Sequence, residues 1–458
     1  MVSAAPVMRD DAWLARAVDR YHELCADEAL AGPAVVEEFV QAQRLAGLTF
    51  GGTVQCRTLR PAFITLERLD TLRQAVASLW GAFRALERRT LHDPSLALAL
   101  GLSAQERALA AIDPGYEDAT VVSRLDTYFA DRPCVLEYNA DSPAGMFYQA
   151  GQAALMHNLP VMVRFAQEFG VKELRADVAL RETLLTVWRQ FASSNGMDER
   201  PLPSIAILDL AGAATSAEFR LVADDFNARG MATMIVTPED LAYRDGALSA
   251  GGRRINLVYK RLLVADFLAH YDLQHPLIQA YADGAVCVAS SFRCTIAHKK
   301  KALAVLLDPR NSGWFTPDQK DAIDKLVART RPYSTLNRAR LETKQPAWAI
   351  KPNDAHGGEN VVLGWECDRA QWLAALDAAE RGDYVVQERV SPTFGTYPVF
   401  DADAAQHGAT LRTLIEDCNA YVFRGSLGGV LTRLSNEAVI NVSRGGQAIP
   451  TFVLSPLT

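Results

Sequence analysis

Asp126, Glu137 and Asn139 fall within one short stretch, "RLDTYFADRPCVLEYN", and all three carry oxygen donors. Glu137 and Asn139 are separated by two, so on a strand they point to the same side, and a neighbouring strand can bring Asp126 beside them. Carboxylate and amide oxygens, completed by nucleotide phosphates, are what a hard cation such as Mg²⁺ takes. Arg124, two before Asp126, shares that face, where a guanidinium can stabilise charge developing on a transferring phosphoryl group or a tetrahedral intermediate. An exposed acidic sheet edge has the same spelling, because Asp and Glu are usually solvated.

A second set lies in the last third. In "AIKPNDAHGGENVVLG" an apolar run delivers Lys351 into a turn-rich loop, and the backbone N–H groups near Gly357 and Gly358 can complete a phosphate cradle. His356, inside this loop, either meets a phosphate or ends the turn, and is counted with the candidate nucleotide-binding residues. A surface turn with a solvated lysine looks similar. The loop lacks the GKS or GKT ending of a P-loop and leads into a strand rather than a helix, which excludes the simplest NTPase reading. "YVVQERV" presents Gln387 and Glu388 at the end of an apolar strand, where an adenine could be read; an amphipathic strand reaching solvent fits equally well. The run His298-Lys299-Lys300-Lys301 opens an amphipathic helix in which Lys300 can turn inward, although a charge run is usually a solvated face. Lysines at a helix N-terminus oppose its dipole, which is tolerable where an anion binds.

These residues need elements to hold them. To about residue 110 the chain reads as mainly helical, with Leu69, Leu72, Val76 and Leu79 on one stripe. Residues 111–175 carry a strand pair with a polar rim around the acids. Residues 176–285 read strand, helix, strand, the pattern of a parallel sheet covered by helices. There Tyr259, Lys260, Arg261 and Asp266 either line an acceptor-substrate pocket or form an ion cluster at a helix start. Residues 286–458 hold the lysines, "HKKKALAVLLD" as one helix, the glycine loop, a helix from the N-cap Asp368 to the stop Gly382, the acid-ended strand and closing Gly-rich strands.

At 458 residues the chain is long for one domain, and 49% hydrophobic with 22% charged content is ordinary for a soluble enzyme of two or more subdomains. A net charge of -7 with scattered cations disfavours nucleic-acid or membrane-surface partners and favours a small molecule. The N-terminus builds no uninterrupted apolar segment, and 7 cysteines without a CxxC pair suit reduced thiols, so a cytoplasmic location is expected.

Together "RLD" with "LEYN", a lysine before "KALAVLLD", "AIKPNDAHGGENVVLG", "VVQERV" and "GGVLTRLSNEAVINVSRGGQ" resemble the circularly permuted ATP-grasp family, relatives of the synthetase half of glutathionylspermidine synthase. In ordinary ATP-grasp enzymes the metal ligands follow the phosphate loop; in the permuted family they precede it, as the acids do here. The resemblance implies an α/β (α+β) ATP-grasp fold in permuted order, with a helical N-terminal region and a central α/β subdomain. It implies ATP and Mg²⁺ as cofactors, with Lys300 and Lys351 as the phosphate lysines, Gly357 and Gly358 in a mobile loop, and Gln387 and Glu388 at the adenine hinge. Asp126, Glu137 and Asn139 become the metal ligands and Arg124 the intermediate-stabilising arginine, with Arg433 of "LTRL" near the nucleotide. Lys299 and Lys301 compete with Lys300 for its role. Arg60 and Pro61 of "LRPAF" also match, at a motif without an assigned role. The implied reaction is ligation of a small-molecule or short-peptide carboxylate to an amine through an acyl phosphate. Transfer of phosphate to a small acceptor, as in a kinase, and a decayed nucleotide-binding regulator are the alternatives.

Overall fold

The stretch around Asp126 folds as a hairpin, Val122–Phe129 antiparallel to Pro133–Asn139. The computed structural model describes residues 10–355, 357–403, 407–442 and 445–457. The hairpin is one end of a 9-stranded sheet. Val122–Phe129 pairs with Asn419–Phe423, which pairs with Ser426–Ser435. From there the sheet continues through Thr410–Glu416 to Thr393–Val399. The strand Gln447–Ser455 adds to Ser426–Ser435 and pairs in turn with Gly170–Glu173 and, in parallel, with Ala62–Thr65. The mainly helical N-terminal region therefore also gives a strand to this sheet.

Period-two alternation separates the two faces of the hairpin. Leu125 and Tyr138, a cross-strand pair, join a buried core with Leu69, Leu72, Val76, Leu79 and Phe83 of the helix Leu66–Thr90. Phe83 stacks on Tyr138 at 3.9 Å between ring centroids. Each fully buried Leu or Val on that stripe contributes ~2 kcal/mol. The helix starts where Thr65 caps it, its hydroxyl accepting from the Arg68 N–H at 3.2 Å. Arg124, Asp126, Glu137 and Asn139 are left on the opposite face.

A second, 4-stranded antiparallel sheet carries Lys351 and Gln387. Its order is Thr330–Pro332, Tyr384–Glu388, Trp348–Pro352, Val362–Leu363. The helix Arg369–Arg381 covers it, with Asp368 and Gln371 forming a reciprocal capping box and Trp372 buried against Ile350 and Val386. That helix ends at Gly382 in an extended rather than a left-handed conformation. The third unit is a 4-stranded parallel sheet, Cys287–Ala289, Leu257–Lys260, Ile205–Leu208 and Thr233–Val236, with the helix Ser216–Ala228 as one crossover.

The single helix expected through the lysine run is two, Thr295–His298 and Lys301–Leu306. Lys299 between them is extended, with ψ 131°. The break is fixed by buried Asn353, whose carbonyl accepts from the Lys300 N–H at 3.0 Å and whose side-chain oxygen accepts from the Lys301 N–H at 2.9 Å. Asn353 is itself anchored: its amide donates to Leu100 O and to Asp383 Oδ2, both at 2.8 Å. Cys56, Cys287 and Cys294 are buried and none of the seven cysteines is in a disulfide. Among the described residues no helix is long and apolar enough to cross a membrane.

Candidate functional site

Between the sheets lies a cleft of about 1020 Å³ bordered by Arg124, Asp126, Glu137, Asn139, Lys300, Lys351, Gly357, Gly358, Gln387, Glu388 and Arg433. Residues from both ends of the chain thus meet in one place. His356 lies outside the described residues.

The hairpin register puts Arg124 opposite Asn139 and Asp126 opposite Glu137. Arg124 grips Asp126 with two bonds, Nε to Oδ1 at 2.6 Å and Nη2 to Oδ2 at 3.0 Å. Arg433 reaches across from Ser426–Ser435 and donates Nη2 to Asp126 Oδ2 at 2.8 Å. The two guanidinium groups outweigh the cost of burial and hold the Asp126 carboxyl well below its usual range. Arg433 is also paired with Asp417, Nε to Oδ2 at 2.8 Å, and burial raises the Asp417 carboxyl. Nothing in the sequence pointed to Asp417, which sits in the tight turn before Asn419–Phe423. Glu137 takes a different partner, Lys300 Nζ at 2.9 Å from its Oε1. Asn139 borders the cleft with its side-chain amide free of hydrogen bonds among the described residues.

None of the three lysines is a solvated face. Lys299 is paired with Glu106 and Asp354, and Lys301 with Asp383. Of the three lysines Lys300 borders the cleft, where its ammonium also donates to Ala355 O at 2.6 Å. The kink at Lys299 sends the three side chains in different directions.

Lys351, opposite Val385 in its sheet, donates to Gln387 Oε1 at 2.6 Å. An amide oxygen is a weak counterpart for a half-buried ammonium. Burial lowers the Lys351 pKa to about 8, with Glu137 partly opposing and Lys300 reinforcing the shift. The Gln387 amide donates to Leu136 O at 3.0 Å and Thr330 Oγ1 at 2.9 Å, tying the two sheets together. Its side chain is therefore spent on Lys351 and the sheet seam, while exposed Glu388 stands at the cleft.

Gly357 and Gly358 both have positive φ, 65° and 75°, which L side chains rarely adopt. The loop leans on the far wall, the Asn441 amide donating to Gly357 O. At the other end, the segment after Asn139 is pinned by a buried ion pair between Lys260 and Asp141, and Asp141 Oδ2 accepts from the Val264 N–H at 2.8 Å. Arg261 donates to Pro143 O at 2.6 Å and to the Tyr259 hydroxyl oxygen at 3.2 Å. Arg261 and Asp266 border the cleft; Lys260 and Tyr259 hold it from behind. Gly145, φ 108°, lets the next turn pass under Tyr421, whose hydroxyl would lie 2.5 Å from an added Cβ. Arg60 is outside the cleft lining; its guanidinium stacks 3.9 Å over the Tyr397 ring and donates to Thr396 O at 2.9 Å.

No protein-family model matches the chain, and no curated protein matches it. Two solved structures align weakly and do not bear on the fold. One is a putative gamma-glutamylcysteine synthetase from Methylobacillus flagellatus KT, at 10% identity and TM-score 0.36 over 78% of this chain and 83% of that one. The other is the ATP-grasp ligase PsnB complexed with minimal precursor, at 12% identity and TM-score 0.28 over 56% and 90%. A third, a glutathione synthetase-like effector (GSS30) from Globodera pallida in apo form, aligns over 92% of this chain and 96% of that one, with TM-score 0.60 and 13% identity. The likeness is one of fold: this chain has a mixed α/β architecture similar to that of the glutathione synthetase-like effector.

Proposed function

We propose that the cleft binds ATP with magnesium and joins a carboxylate to an amine through an acyl phosphate, releasing ADP and phosphate. The observation that carries this reading is Lys351: a half-buried ammonium, with an amide oxygen as its hydrogen-bond partner, facing the same cleft as Lys300. A polyphosphate supplies the negative charge that Lys351 lacks and that Lys300 finds only in Glu137. The order along the chain, acids at 126–139 before lysines at 300 and 351, supports the permuted ATP-grasp arrangement. Leu363, Trp365 and Val390 border the cleft near Glu388 and suit a planar base.

Glu137 and Asn139 would hold magnesium, being oxygen donors on one strand, with Asn139 uncommitted. Asp126 would join them if it gave up a guanidinium, since Arg124 and Arg433 occupy its oxygens. Magnesium, when bound, offsets the repulsion between an anionic nucleotide and an anionic carboxylate. Arg124 and Arg433 stand where charge accumulates as the carboxylate takes the γ-phosphoryl group and as the amine adds to the acyl carbon. The loop at Gly357 and Gly358 excludes water, protecting the acyl phosphate from hydrolysis.

The test is ADP release screened against paired carboxylates and amines, including amino acids and short peptides, with mass spectrometry of the products. Amide together with ADP is expected. A phosphorylated acceptor without condensation would replace this reading with a small-molecule kinase, and no turnover with any pair would favour a nucleotide-binding regulator.

A further inference from the structure

Beside the lysine end of the cleft is a smaller chamber of about 250 Å³. Asp141, Asp266, His298 and Glu359 border both spaces, and Asp354 borders the chamber. Asp141 is paired with Lys260, and Asp354 with Lys299, which Glu106 also shares at 2.5 Å. Glu359 adds a further carboxylate, so that with Glu106 the carboxylates exceed the ammonium groups, and a low-dielectric recess of that sign concentrates cations.

Acidity alone would not define a site; His298 supplies the second observation. It ends the turn Thr295–His298, is 7% exposed, and its Nδ1 is buried without a hydrogen-bond partner. Its ring is part of the wall common to chamber and cleft. Burial lowers its pKa, with Asp141 opposing and Lys300 reinforcing, so the imidazole is neutral at neutral pH and keeps a basic lone pair. An unpartnered imidazole next to the phosphate lysine is placed to take a proton.

Building on the ligase reading, we propose that this chamber admits the amine as its ammonium ion and that His298 accepts the proton the amine must lose before it attacks. The balance is as follows. R–NH₃⁺ gives one proton to the imidazole; the freed nitrogen lone pair forms the C–N bond at the acyl carbon; the bond from that carbon to the phosphate oxygen then breaks. The second nitrogen-bound proton leaves with phosphate as HPO₄²⁻, and the imidazolium returns its proton to solvent. No oxidant, reductant or further co-reactant enters.

The experiment uses the full chain, ATP, magnesium and whichever carboxylate supports turnover, with three nucleophiles in place of the natural amine. Ethylamine arrives protonated; 2,2,2-trifluoroethylamine is much less basic; hydroxylamine arrives unprotonated and traps the acyl phosphate as a hydroxamate. His298→Asn is expected to slow condensation with ethylamine by roughly 10²- to 10⁴-fold, and reactions with the other two by less than about fivefold. Equal losses with all three would mean a structural role, and no loss with ethylamine would remove the proton transfer; either overturns the proposal. Hydroxamate from the variant also shows that it folds. Glu359→Gln is expected to raise KM for ethylamine about fivefold at unchanged kcat, and an unchanged KM would overturn the chamber as the amine's entry. Wild-type protein that forms no hydroxamate with any carboxylate would instead sink the ligase reading, and this inference with it.

Discussion

The ammonium of Lys351 must be charged to hold a phosphate, yet burial lowers its pKa to about 8. A bound polyphosphate reverses that shift, because a nearby anion favours the charged form. Below the free-state pKa the lysine is charged before and after binding, so affinity is flat. Above it the free protein has lost the proton and must take one up to bind. At a pH of about 9 roughly one free molecule in eleven carries the charge, so the nucleotide Kd rises about tenfold, ~1.4 kcal/mol, and about tenfold again for the next unit. The assay is titration calorimetry of ATP in EDTA, run in two buffers of different ionisation enthalpy, so that proton uptake is read directly. EDTA keeps a metal's own charge out of the measurement. Lys351→Arg, which does not titrate in this range, is expected to flatten the profile. A wild-type Kd that stays constant across the interval without proton uptake, or an arginine variant with the wild-type slope, would refute the reasoning.

Three further outcomes are expected. Glu137→Gln should abolish magnesium-dependent ATP turnover while leaving nucleotide binding in EDTA measurable, whereas a combined Asp126→Asn and Glu137→Gln variant with unchanged turnover would end the metal assignment. Lys260→Met leaves the buried Asp141 carboxylate unpaired and should cost ~3–5 kcal/mol in urea unfolding; a loss under about 1 kcal/mol contradicts that. Glu87 is buried under the sheet and titrates at about 8, raised by burial from 4.5. Because the folded state keeps this proton longer than the unfolded chain, its contribution is fully present at low pH and is lost as pH rises through about 8, with a slope of up to ~1.4 kcal/mol per unit. Glu87→Gln should remove that slope in unfolding curves, and an unaltered slope would assign it elsewhere.

The hairpin around Asp126 was legible because alternation is short-range: Arg124 with Asp126 and Glu137 with Asn139 fall on one face by their spacing, and the structure fills the other face with Leu125 and Tyr138. The strand-helix-strand run from Ile205–Leu208 to Thr233–Val236 and the cap at Asp368 were legible for the same reason. What no local pattern encodes is the edge of the large sheet, where the 4-residue strands Ala62–Thr65 and Gly170–Glu173 are held by pairing with the distant Gln447–Ser455. The lysine run was misread as one helix because its break is imposed from outside, by Asn353. The same distance hid Asp417, whose neighbours within the chain carry no sign of a cleft.

Asn353 has a consequence for what the cleft measures. Its carbonyl and side chain hold the turn that presents Lys300, and it lies two residues beyond Lys351. The backbone positions from which the two lysines reach into the cleft are therefore tied together by one buried residue and not by whatever binds between them. On the ATP reading proposed above, they would act as two jaws mounted on a common frame, and an anion would be selected by whether its charges are spaced to meet both.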